Sequence, residues 1–278
     1  MRFSSLFLFV LLALPLASCG SSPEEKETKI DSRSAEEIFS SGQKSLDKDL
    51  YKTAAKEFDE IERLHPYADV APQAKLLAAY ARYLNEDYEE AIIGFDQYLQ
   101  LYPSDKQAPY ALYLKSLCYY EQISDVTRDQ EMTRRALEAL QLVISRYPTT
   151  DYAKEAKLKL DLVYDHLAGK EMEIGRWYQS QIQLQAAINR FRTVIDQYQT
   201  TSHTPEALYR LVECYTALGL TDEARRNAVV LGNNFPGSPW YADAYKLVGG
   251  DPKVIKALPN DPDAEKPGFL DRAWNSVF

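Results

Sequence analysis

The chain reads as an all-α solenoid of about five stacked helix pairs, and three observations carry that expectation. A set of anchors recurs five times: Ala54-Phe58-Pro66-Ala74, Ala91-Phe95-Pro103-Ala111, Ala136-Leu140-Pro148-Ala156, Ala187-Phe191-Gln199-Ala207 and Ala224-Ala228-Pro236-Ala244. The residue before the third anchor is always a ring: His65, Tyr102, Tyr147, Tyr198 and Phe235. Between the anchors, apolar residues follow helical rather than alternating spacing, as with Ala91, Phe95, Tyr98 and Tyr102. A register held five times is an internal repeat, and a repeat that cannot bury its own apolar face must stack on its neighbours.

Each element follows from these anchors. The second helix of a pair runs from the first alanine to the ring and stops at the proline, which lacks an amide donor and disfavours helix in the residue before it. A new helix then carries the next alanine, whose small side chain lets paired helices approach while an aromatic fills the space between layers. The A-x3-F…P pattern resembles the tetratricopeptide repeat, with Gly42, Ala79, Gly175 and Val212 in the small position twelve before the first anchor. That resemblance implies a right-handed superhelix. Pro103 to Pro148 is eight residues longer than the 37 between Pro66 and Pro103, and the excess falls on polar Ile123–Gln130, a predicted loop. Pro148 to Gln199 is 51 residues, 14 more than the same 37 and close to four helical turns. The stretch Tyr152–Gln181 has no proline and only two glycines, Gly169 and Gly175, so one lengthened or kinked helix is expected there.

The N-terminus sets the compartment. Residues 1–18 combine a basic start, the apolar run Leu6–Leu14 and Leu16-Ala17-Ser18 ahead of Cys19. The run is too short to span a bilayer and reads as a signal peptide. Leu-Ala-Ser-Cys resembles the bacterial lipobox, implying acylation of Cys19 and a lipid anchor, with Gly20 next to it favouring the periplasmic face of the outer membrane. Residues 19–34 are a polar, lipidated tether.

Composition removes other classes. The net charge is −9, from 32 basic and 41 acidic residues, and no basic stripe follows a helix face, so nucleic acid is not an expected partner. Cys118 and Cys214 occupy equivalent places two repeats apart, too distant for a disulfide, and read as buried apolar residues. His65, His166 and His203 are scattered without metal-ligand spacing, and no nucleophile elbow or phosphate loop occurs. No catalytic residue, metal or cofactor is expected, and the chain is not read as an enzyme.

Three stretches are more particular: Phe58-Asp-Glu-Ile-Glu-Arg-Leu-His-Pro-Tyr67, Lys170-Glu-Met-Glu-Ile-Gly-Arg-Trp-Tyr178 and Ala186-Ala-Ile-Asn-Arg-Phe191. With the lipobox, tether and lengthened fourth unit, they resemble the BamD family over residues 19 to 248. Gln179–Gln185 departs from that family, which usually shows a basic residue, a turn and a tyrosine there. The resemblance implies an outer-membrane lipoprotein of the complex that folds β-barrels, alongside other assembly lipoproteins. It implies that the N-terminal repeats, 35–148, receive unfolded barrel substrates, while the C-terminal repeats, 149–248, dock the POTRA region of the barrel-forming partner. The alternative is another repeat lipoprotein, an adaptor for peptidoglycan enzymes or pili.

In tetratricopeptide repeats the concave wall comes from the first helix of each pair. Register places Phe39, Gln43 and Leu46, then Leu76, Tyr80 and Tyr83, then Tyr110, Tyr113, Leu117 and Tyr120 on that wall, suited to an aromatic, extended peptide. The basic series Arg176, Arg190, Arg192, Arg210, Arg225 and Arg226 gathers in repeats four and five, as contacts to partner carboxylates or as pairs within the solenoid. In the tail, 249–278, Leu270, Trp274 and Val277 share helical spacing, as expected either of a short docking helix or of a frayed terminus.

Overall fold

Rings before the third anchors end the second helix of every pair in one conformation. His65, Tyr102, Tyr147, Tyr198 and Phe235 are the C-caps of α2 (Tyr51–Leu64), α4 (Tyr88–Leu101), α6 (Glu131–Arg146), α8 (Leu184–Gln197) and α10 (Thr221–Asn234), with φ between −126° and −133°. This is the extended-side geometry that a following proline demands. Tyr198 precedes Gln199 and takes the same shape, so the packed ring can hold this corner without the proline.

The computed structural model describes residues 32–249. The signal peptide, Cys19, most of the tether and the tail beyond Gly249 lie outside them. The first helices of the pairs are α1 (Ala35–Leu46), α3 (Ala71–Leu84), α5 (Ala108–Tyr120), α7 (Asp151–Ser180) and α9 (Thr204–Ala217), and α11 (Pro239–Leu247) packs on α9 and α10 as a terminal cap. Among the described residues there is no strand, and successive helices pack on one another in order. The fold is an all-α, tetratricopeptide-like solenoid of five helix pairs. The loop expected at 123–130 separates α5 from α6, and the expected lengthened helix is α7, of 30 residues.

The anchors make the core. Ala54, Phe58, Ala91, Phe95, Ala136, Leu140, Ala187 and Phe191 have no exposed surface, nor do Ala74, Ala111, Ala156, Ala207, Ala228 and Ala244. Phe58 lies so close to Gly42 that a β-carbon there would stand 2.7 Å from its Cε1, and Phe191 leaves 2.4 Å at Gly175. A glycine on the first helix therefore accepts the phenylalanine of the second, which is why the small position sits twelve residues ahead. Buried residues form three clusters, at 35–81, 76–167 and 168–244. The second and third meet inside α7, between Leu167 and Ala168, so no core ends at Pro148.

The turn at 181–183 forms despite the unusual sequence, with Ile182 taking left-handed φ of 59°. Cys118 and Cys214 are free and buried, and burial pushes their thiols up to about 12 and about 11. No helix among the described residues is long and apolar enough to cross a membrane.

Candidate functional site

The first helices bring the expected groove residues to three different depths. Phe39 is half-buried against Phe58, with ring centroids 5.6 Å apart, and Gln43 is exposed. Tyr80, Tyr83, Tyr110 and Tyr120 are half-buried at the wall, where Tyr80 lies 6.3 Å from Tyr83 and 6.4 Å from Tyr110. Leu76 and Tyr113 go deeper: they are 4% and 6% exposed and belong to the core, not to the groove surface. The Tyr113 hydroxyl donates to Glu155 Oε2 at 2.8 Å, which ties α5 to α7. Leu117 is buried as well. Tyr113 and Leu117 lie on α5, which packs against α7, and Leu76 lies on α3, which packs against α5.

Tyr152, at the start of α7, completes the aromatic surface. Its ring lies 5.3 Å from that of Tyr110 and 5.7 Å from Tyr113, while Tyr88 of α4 adds a contact to Tyr83 at 6.0 Å. The result is a tyrosine ladder across α3, α5 and α7. Burial raises the hydroxyls of Tyr83 and Tyr110 to about 12, so these two offer ring faces and O–H donors, not charge. Lys159 Nζ sits 4.4 Å above the Tyr120 ring, closing the ladder with a cation.

The groove continues where sequence reasoning did not follow it. Leu158 and Leu162 stand ten and fourteen residues after Pro148, as Tyr113 and Leu117 stand after Pro103. In α7 these places are open, 69% and 60% exposed. Leu162 borders a cleft of about 510 Å³ with Tyr120, Ile123, Val126, His166 and His203. The loop at 123–130 forms its floor, held by His166 Nε2 at 2.7 Å from the Ser124 carbonyl and by Lys170 Nζ donating to the Thr127 carbonyl at 3.0 Å. The same repeat register that located Tyr113 would have located the two leucines.

The arginines of repeats four and five are mostly paired inside the solenoid. Arg176 grips both carboxylate oxygens of Glu206 at 3.1 Å, joining α7 to α9. Arg190 reaches Glu171 at 3.1 Å, joining α8 to α7. Arg210 donates to Glu213 at 2.8 Å and Glu206 at 3.3 Å, with its guanidinium 5.6 Å from the Trp240 ring centre. Arg225 and Arg226 pair within α10, at 3.9 Å to Asp222 and 3.3 Å to Glu223. Arg192 is exposed and has no ion pair among the described residues. Arg190 keeps an exposed edge beside a shallow depression lined by Tyr178, Ala186, Asn189 and Thr193.

The family described as YfiO, outer membrane lipoprotein, matches residues 31–231. The chain belongs to this family. It is 49% identical over 239 residues to "Outer membrane protein assembly factor BamD" of Caulobacter vibrioides, covering 86% of this chain and 78% of that protein. The protein of the same description in Rickettsia prowazekii is 50% identical over 211 residues, covering 76% and 84%. That of Neisseria meningitidis serogroup A is 29% identical over 253, covering 87% and 95%. These relatives place the chain in the BamD family. Among solved structures, a thermophilic TPR protein of Thermus thermophilus overlaps 77% of this chain and 99% of its own, at 17% identity and a TM-score of 0.37.

Proposed function

We propose that this chain is an outer-membrane lipoprotein scaffold of the β-barrel assembly machinery, working by binding and without a cofactor. The observation that carries the reading is the 49% identity, over 239 residues, to an outer membrane protein assembly factor. The acyl chains on Cys19 hold the protein at the periplasmic face of the outer membrane. At about 0.8 kcal/mol per buried CH2, several chains anchor without a spanning helix.

Two surfaces divide the work. The tyrosine ladder, with Phe39 and Gln43 before it and Leu158 and Leu162 after it, receives the aromatic end of an unfolded barrel protein. Neutral rings and open leucines suit such a peptide better than a carboxylate would. The face bearing Arg192 and the exposed edge of Arg190 docks the POTRA region of the barrel-forming partner. Arg176 and Arg210, clamped on Glu206 and Glu213, hold α7 and α9 in place behind that face.

Affinity isolation from detergent-solubilised outer membrane tests the division. The unaltered chain should bring down the barrel-forming partner and other assembly lipoproteins. Arg190→Glu with Arg192→Glu should lose the partner while still cross-linking to a barrel protein's C-terminal peptide. Recovery of peptidoglycan enzymes or pilus components in place of a barrel-forming protein would replace this reading with the adaptor one. Cys19→Ala should leave the chain outside the membrane fraction; a mutant that still sediments after a salt wash is held by something other than acyl chains.

A further inference from the structure

Four turns between paired helices share one backbone device. A residue of left-handed φ follows the first helix: Asp49 at 58°, Glu86 at 64°, Ile182 at 59° and Gly219 at 75°. The next amide then returns to a carbonyl five residues back, Leu50 to Ser45, Asp87 to Arg82, Gln183 to Tyr178 and Leu220 to Tyr215, all at 2.9–3.0 Å. These bonds satisfy the last carbonyls of the helix. Gly249, at 69°, repeats the left-handed residue after α11.

The character of the turns changes along the chain. Asp47, Lys48 and Asp49 surround the first, where Leu50 stands alone as a 52% exposed apolar residue, and Asn85, Glu86 and Asp87 surround the second. The C-terminal turns carry Ile182, then Leu218 and Leu220, then Leu247, which are 82%, 44%, 48% and 43% exposed, with Trp177 at 57% beside the first. These turns lie next to one another. Gln179 Nε2 donates to Glu213 Oε2 at 3.0 Å, linking the last turns of α7 and α9. Tyr209 stacks on Trp240 at 5.3 Å, which sets the start of α11 against the middle of α9 and brings the ends of both helices level.

Ile182 is the decisive residue. Left-handed backbone costs an L-residue roughly 1–2 kcal/mol, and a β-branched one is a marked outlier there. Glycine or asparagine would take the position without that cost. Its side chain is almost wholly exposed, so no packing within residues 32–249 offsets the strain. Strain that nothing nearby repays points to use.

The chain itself supplies an occupant. The described backbone leaves at Gly249, one end of this apolar row, and 29 residues follow. Their last stretch places Leu270, Trp274 and Val277 at helical spacing. Helices pack about 8–10 Å apart, so the row from α11 to the α7–α8 turn spans at most about 40 Å. The intervening residues 250–269 can extend to roughly 66 Å. We propose that the row of Trp177, Ile182, Leu218, Leu220 and Leu247 is the docking surface for the chain's own C-terminal segment, with Leu270, Trp274 and Val277 as the inserted side chains.

Maleimide reactivity of the full lipidated chain in detergent reads this directly. Ile182→Cys is the first reporter and Leu220→Cys the second, in case one perturbs its turn. Cys118 and Cys214 are buried with raised thiols, so they compete poorly. Each reporter should react about tenfold more slowly than in a chain whose Leu270, Trp274 and Val277 are all serine, as for a docked form populated at about 90%. Equal rates in the two backgrounds overturn the proposal. Protection that fades on dilution assigns the covering segment to a second copy, and protection that survives the serine substitutions assigns it to a co-isolated partner; either result overturns docking within one chain.

Discussion

Ile182 sets a conflict between backbone and side chain that can be measured. Its φ of 59° favours asparagine or glycine, while its exposed side chain gains nothing within the described residues. In the chain carrying serine at 270, 274 and 277, Ile182→Asn should therefore stabilise by about 1 kcal/mol. For a chain of this size that is a rise in Tm of about 2–4 °C by calorimetry. In the unaltered chain the gain should be smaller, because the same substitution removes an apolar contact to the tail. A double-mutant cycle isolates the difference. No change in Tm in the serine background would show that the turn carries no strain. Sequence pattern could not reveal this residue, since Gln181-Ile182-Gln183 holds no glycine or asparagine to mark a turn, and the demand for left-handed φ comes from the helices on either side.

At the scale of the helix, buried polar contacts tie repeats together. Lys75 of α3 is 7% exposed, with Nζ 2.7 Å from both carboxylate oxygens of Glu62 on α2 and 3.2 Å from Gln97 on α4. Removing Glu62 leaves a desolvated ammonium with a single neutral acceptor, whereas removing Lys75 leaves a carboxylate that water already reaches. Glu62→Ala should therefore cost about 1–3 kcal/mol, and Lys75→Met close to nothing, in urea unfolding. Equal losses from the two would mean the pair acts as a simple surface bridge. The helices themselves were legible because three features repeat in phase: the paired alanine anchors, the ring that closes each second helix, and, in four of the five repeats, the proline after it. Gly42 with Phe58 and Gly175 with Phe191 show the contact that this phase encodes. Depth on the wall was not legible. Leu76 and Tyr113 occupy wall positions yet are buried, because burial there depends on how closely the next first helix approaches. The pairing of Arg176 and Arg190 was hidden for the same reason, since their carboxylates lie 30 and 19 residues away on helices whose facing register only the fold defines, whereas Arg210 pairs with Glu206 and Glu213 at helical spacing on α9 itself.

Across the whole molecule, the concave wall shifts from covered aromatics to open aliphatics. Tyr80, Tyr83 and Tyr110 support one another, so their removal should weaken folding and would confound a test of binding. Leu158 and Leu162 differ: at 69% and 60% exposed they add little to stability, yet they extend the same surface in the same register. A peptide long enough to lie on the ladder and continue into the fourth repeat would cover both. Burying such a side chain contributes about 1.5–3 kcal/mol at most, and partial burial about half of that. Leu158→Ser with Leu162→Ser should therefore weaken binding of a barrel protein's C-terminal peptide by about tenfold or more, with Tm changed by under about 2 °C. Fluorescence anisotropy of the labelled peptide, run beside thermal unfolding of the same sample, separates the two effects. Unaltered affinity would confine the groove to the first three repeats and leave the two leucines for another partner. Lost affinity with an intact melt would extend the peptide site along α7, toward the cleft floored by residues 123–130.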